Sequence, residues 1–125
     1  MSYKLLIVDD NQGCSDLYKL RFEYDKWEVV VAYCAEKALE VLKRDYRPDI
    51  ILLDMMLPGM QGDELLNILK SDPKTKNIKV IILSALNLAP EKEEELLKKA
   101  NDCILKIDIM PSELVKRATK LAEEK

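Results

Sequence analysis

Ile50-Ile51-Leu52-Leu53-Asp54-Met55-Met56-Leu57-Pro58-Gly59 is the stretch on which the reading of the whole chain turns. Four consecutive apolar residues predict a strand buried on both faces, which suits the centre of a parallel sheet better than a half-solvated antiparallel one. Asp54 stands where that strand gives way to a Pro-Gly turn. A carboxylate there is held by a rigid strand yet open at its carboxyl end, where α/β sheets bind ligands. A single Asp in that position can equally open a loop by bonding its own backbone. The endings of the other strands decide between the two.

Outward from this stretch, strand-like and helix-like segments alternate. Tyr3 to Val8 is a second buried-strand run, closed by Asp9-Asp10-Asn11. Asn11 to Tyr24 carries Cys14, Leu17 and Tyr18 at helical spacing, a first helix with these on its apolar face. Trp27 to Ala32 is short and β-branched, as a strand should be. Ala35, Ala38, Leu39 and Leu42 mark helix two, stopped by Pro48, and the central strand follows over Asp49 to Leu53. Leu65, Leu66 and Leu69 mark a helix ending near Asp72-Pro73, and Asn77 to Leu83 is a strand that ends at Ser84-Ala85. Pro90 with its following glutamates opens helix four, with Leu96, Leu97 and Ala100 expected on the buried side. Asp102 to Lys106 is the fifth strand, and Pro111 opens a last helix with Leu114, Val115, Ala118, Leu121 and Ala122 on one face. Five strands alternating with five helices predict an α/β, flavodoxin-like, doubly wound parallel sheet of order 2-1-3-4-5, whose switch point lies between strands one and three.

Bulk properties narrow the function. At 125 residues with 48% apolar content, the chain is expected to form one domain over residues 1–125 with its own core. No apolar run approaches the roughly 20 residues of a membrane span, and the N-terminus runs directly into a strand, so a cytoplasmic protein without membrane contact is expected. The net charge of −3 gives no support for nucleic-acid binding. Cys14, Cys34 and Cys103 lack metal-ligand spacing and the chain has no histidine, which removes the usual zinc ligands and the base of Cys-His or Ser-His catalysis. The cysteines are expected reduced and packed as small apolar side chains.

In the predicted topology Asp9, Asp10, Asp54, Ser84 and Lys106 gather at one sheet edge. Any one of them could be a loop or cap residue, but four strands ending on acid, acid, hydroxyl and amine are hard to ascribe to solvation. Crowded carboxylates repel by about 4 kcal/mol per close pair at an effective dielectric near 20, so the site calls for a cation. With oxygen ligands alone, Mg²⁺ fits. Lys106 is expected to pair with Asp54 at rest.

This pattern resembles the receiver domain of bacterial two-component response regulators over essentially the whole chain. The resemblance rests on Asp9-Asp10 after strand one, Asp54 with Pro58-Gly59 and Gly62, Ser84-Ala85 after strand four, and Lys106 after strand five. It implies phosphoryl transfer from a histidine kinase or phosphotransfer protein onto Asp54. Mg²⁺ would be held by Asp9, Asp10, Asp54 and the backbone carbonyl of Met56, with Ser84 and Lys106 receiving the phosphoryl oxygens. It further implies a stand-alone switch or relay that catalyses its own phosphorylation and dephosphorylation rather than turning over a substrate, signalling to a protein target through the surface of helix four, strand five and helix five. Two other readings compete: a receiver-fold interaction module that is not phosphorylated, and a Mg²⁺-dependent aspartyl phosphohydrolase, which would want a second acid where Met56 stands.

Three positions depart from the family pattern. Cys103 stands where many receivers have an aromatic residue, Ile107 follows Lys106 where proline in a cis peptide is usual, and Ala35 replaces a common glycine. A cis bond before a non-proline residue costs roughly 2.5 to 4 kcal/mol, so a trans peptide and a rerouted loop are expected after Lys106. Apolar Met56 and Leu86 flank the expected path of attacking water, which predicts slow hydrolysis of an aspartyl phosphate.

Overall fold

A computed structural model describes residues 2–124. Its elements are β1 (Lys4–Val8), α1 (Gln12–Tyr24), β2 (Glu28–Ala32), α2 (Ala35–Lys43), β3 (Ile50–Asp54), α3 (Gly62–Ser71), β4 (Lys79–Ser84), α4 (Pro90–Leu97), β5 (Asp102–Leu105) and α5 (Pro111–Glu123). All neighbouring strands pair in parallel, in the order β2-β1-β3-β4-β5. The expected doubly wound sheet is thus present, with β1 and β3 adjacent at its centre.

Strand alternation sorts the core into two layers. Leu5, Ile7, Ile50, Leu52, Ile81, Leu83 and Ile104 face one side, where Tyr18 and Phe22 of α1 and Leu114, Val115 and Ala118 of α5 cover them. Leu6, Val8, Ile51, Leu53, Val80 and Ile82 face the other, under Ala35, Ala38 and Leu42 of α2, Leu65, Leu66 and Leu69 of α3, and Leu96 of α4. Every residue of β3 is buried, as a strand covered on both faces must be. At the N-terminal end of the sheet Trp27 packs edge-on against Phe22 and beside Tyr3, with both ring centroids 5.1 Å away.

Several expectations are corrected. Leu17 is 53% exposed; the buried side of α1 is Ser15, Tyr18 and Phe22, because small Ser15 lets the helix approach the sheet and bonds its hydroxyl to the Gln12 carbonyl. Leu97 is likewise exposed, and α4 stops there, before Ala100. Lys106 lies outside the fifth strand and opens a single 3₁₀ turn, Lys106–Asp108. That turn is the rerouted connection, and among the described residues no peptide is cis.

Candidate functional site: an acidic pocket at the sheet edge

The strand ends and the turns that follow them determine which residues meet. Asp54 ends β3 two residues after Leu52, Asp9 directly follows β1 and Lys106 opens the turn that follows β5, so all three stand at the carboxyl edge of the sheet. Ser84 comes two after Ile82 and continues the β4 row on the α2, α3 and α4 side. The structure brings Asp9, Asp54 and Lys106 into contact, while the Ser84 hydroxyl bonds within its own loop. Lys106 Nζ donates to Asp9 Oδ2 at 3.0 Å and stands 3.5 Å from Asp54 Oδ2. The expected Lys106–Asp54 pairing is therefore shared, with the shorter bond going to Asp9.

Asp10 completes the acidic group. One carboxylate oxygen each of Asp9, Asp10 and Asp54 lies within 4.8 Å of the others, the only such cluster of three potential ligands among the described residues. Asp9 and Asp54 are buried while Asp10 is exposed, so the pocket opens to solvent on the Asp10 side. Hard oxygen donors at this spacing suit a small divalent cation such as Mg²⁺. At the end of β3, the Met55 carbonyl is taken by the Gly62 N–H at 3.0 Å, whereas no backbone N–H of the described residues takes that of Met56. The Met56 N–H donates to Asp54 Oδ1 at 3.2 Å, which fixes one oxygen of Asp54 and leaves the other toward Lys106.

The electrostatics follow from crowding and desolvation. Burial, reinforced by the neighbouring charge of Asp9, raises the Asp54 carboxyl to about 6 against the opposing pull of Lys106 and the Met56 N–H. Burial works against the Lys106 ammonium, yet its bond to Asp9 and the charges of Asp54 and Asp9 outweigh that and raise its pKa. Asp54 thus shares a cation whose hydrogen bond is committed to a neighbour. Tyr18, buried beneath on α1, has its phenol raised by burial and then by Cys14, Asp9 and Asp54, with Lys106 acting oppositely.

Ser84 is buried, and its hydroxyl donates to the Leu86 carbonyl at 2.5 Å while accepting the Leu86 N–H at 3.2 Å. Cys103 is half-buried against the α4 side of the core. Met56, Leu86 and Ile107, on three successive strand-to-helix loops, are 56%, 61% and 82% exposed.

One supporting residue was not legible beyond its place in a turn. A Cβ on Gly62 would fall 2.3 Å from the Asp54 carbonyl oxygen and 2.8 Å from Met55 Cα, so α3 begins in direct contact with the backbone that carries Asp54. A glycine eight residues after a strand-end acid is the available signal, but only the closed turn shows that the space is missing. Gly59, at φ +75°, allows that turn to close.

The family model for the response regulator receiver domain matches residues 5–119. Response regulator PleD of Caulobacter vibrioides is 37% identical over 106 residues, covering 85% of this chain, which spans only 23% of PleD. Sporulation initiation phosphotransferase F of Bacillus subtilis is 37% identical over 97 residues, 75% of this chain and 76% of that protein. Among solved structures, the Francisella response regulator 1452 receiver domain superimposes with a TM-score of 0.86 at 31% identity, covering 98% of both chains. With a match running from β1 through most of α5, the chain belongs to the response regulator receiver domain family.

Proposed function

We propose that Asp54 accepts a phosphoryl group from the phosphohistidine of a partner kinase or phosphotransfer protein, and that the resulting aspartyl phosphate alters contacts with a protein target. The observation that carries this reading is the arrangement of Asp9, Asp10 and Asp54 within 4.8 Å of one another, with Lys106 set between Asp9 and Asp54. A carboxylate so placed has one oxygen oriented by a backbone N–H and the other facing an ammonium, and is ionised above about pH 6.

In the transfer, an Asp54 oxygen attacks phosphorus, the P–N bond to the donor imidazole breaks, and the imidazole nitrogen keeps the bonding pair. Lys106, already among the acids, meets the negative charge that arrives with the phosphoryl oxygens. Asp9, Asp10, Asp54 and the Met56 carbonyl would hold Mg²⁺, which supplies charge neutralisation of phosphoryl oxygens when bound. Ser84 reaches the phosphoryl group only by giving up its bonds to Leu86, and so couples the chemistry to the loop before α4. The exposed residues Lys116, Arg117 and Lys120 of α5 and the glutamates of α4 offer a charged surface for the target.

The test is incubation with Mg²⁺ and a small acyl phosphate or a phosphorylated histidine kinase, read as covalent phosphate by intact mass. One hydroxylamine-labile phosphate on the wild type and none on Asp54→Ala is expected. A label that survives in Asp54→Ala, or no label from any donor, overturns the reading.

A further inference from the structure

Helix α4 is the least anchored element around the pocket. Of its residues only Leu96 is buried, whereas α3 buries Gly62, Leu65, Leu66 and Leu69, and α5 buries Leu114, Val115 and Ala118. Polar contacts supply what packing does not. Lys92 Nζ donates to Asp63 Oδ2 at 2.9 Å, and Lys99, just past the helix, donates to Asn67 Oδ1. Asp63 and Asn67 are four residues apart on α3, so the two lysines grip one stripe of that helix. The hydrogen bond from Lys92 is the main reason the Asp63 carboxyl lies below its ordinary range.

This stripe begins at the pocket. Asp63 directly follows Gly62, where a Cβ would strike the Asp54 backbone, and α4 is joined from its other side to Ser84 through residues 85–89. We infer that the Lys92–Asp63 pair is a latch that holds α4 in its resting position and thereby opposes the rearrangement of the Ser84 loop toward a phosphoryl group on Asp54. This rests on the proposed role of Asp54. A contact made in only one of two arrangements shifts the balance between them by its own free energy and weakens any ligand that selects the other.

Hydrogen exchange of α4 amides in the free protein and affinity for beryllofluoride in the presence of Mg²⁺ test this on wild type, Lys92→Gln, Asp63→Asn and the double variant. Each single variant is expected to speed α4 exchange and tighten beryllofluoride binding about two- to fivefold, the range open to a half-buried surface ion pair, with the double variant no tighter than the singles. Lys92 is also attracted to Glu95 within α4, so the decisive variant is Asp63→Asn, which lies on α3 and leaves every charge of α4 in place. Lys37→Gln, which removes an exposed pair with Glu40 within α2, should change neither quantity. Unchanged α4 exchange, or equal beryllofluoride affinity across variants that all bind it, overturns the latch alone. A wild type that takes up no beryllofluoride overturns the phosphoacceptor reading, and the exchange data then still decide whether the pair holds α4.

Discussion

The two faces of the sheet hold their functional groups in different ways. On the α1/α5 side, Asp9, Asp54 and Lys106 are desolvated together and joined by contacts of 3.0 and 3.5 Å. On the other side, the Ser84 hydroxyl is bonded within its own loop, and α4 beyond it is tied down chiefly by lysines at its surface. Moving Lys106 out of this set would leave two buried carboxylates uncompensated, which costs several kcal/mol. Exchanging one neutral hydrogen-bond partner for another costs little. The charged cluster is therefore costly to rearrange, whereas the bonds of Ser84 within its own loop are cheap to exchange.

The sharpest way to break this contrast is to push one face against the other at Gly62. A Cβ there meets the Asp54 carbonyl at 2.3 Å, so Gly62→Ala must displace either α3 or β3. We expect a loss of about 3 kcal/mol, well beyond the roughly 1 kcal/mol that alanine gains within a helix, together with impaired phosphoryl uptake. Chemical denaturation and intact-mass labelling measure the two effects. A stable variant that still takes phosphate would show that the two faces are not in contact through this residue.

The next effect has the opposite sign. Asp54 titrates near 6 in the folded chain against about 3.9 unfolded, so between those values the native state binds more protons and stability falls as pH rises. Above pH 6 the full penalty is present. Asp54→Asn removes it and, in metal-free buffer, should be more stable than wild type by about 2 kcal/mol at pH 7.5, an advantage that fades on acidification and is gone near pH 4. Denaturation of both proteins across this range checks the prediction, and a constant difference would refute the raised Asp54 pKa.

The smallest effect belongs to the Ser84 loop. Ser84→Ala removes hydrogen bonds that serve only the Leu86 loop, and should change the stability of the unphosphorylated protein by under about 1 kcal/mol. A loss of several kcal/mol would show that these bonds are not cheap to exchange.

Most of this architecture was legible in the sequence because doubly buried strands leave strong signals. The runs ending at Val8, Leu53 and Leu83 contain almost nothing but apolar residues, and their order fixes which carboxyl-end residues converge. Helix faces were less legible. Cys14, Leu17 and Tyr18 share a helical spacing, yet Leu17 faces out, because the orientation of α1 follows the close approach at Ser15 and the bulk of Phe22. The division of labour within the site was hidden as well. That Lys106 bonds Asp9 more closely than Asp54, and that Ser84 belongs to the other row, depends on strand parity and on where β5 stops, and Lys106 itself turned out to lie beyond that end.

The aromatic cluster at the opposite end of the sheet has a practical consequence. Trp27, the sole tryptophan, is 5% exposed against Phe22 and Tyr3 where β2 begins, whereas the acids gather where β1 and β3 finish. Its fluorescence should report cooperative melting of the whole sheet while staying blind to whatever enters the pocket. Loss of the fold and loss of the site can then be told apart in one cuvette.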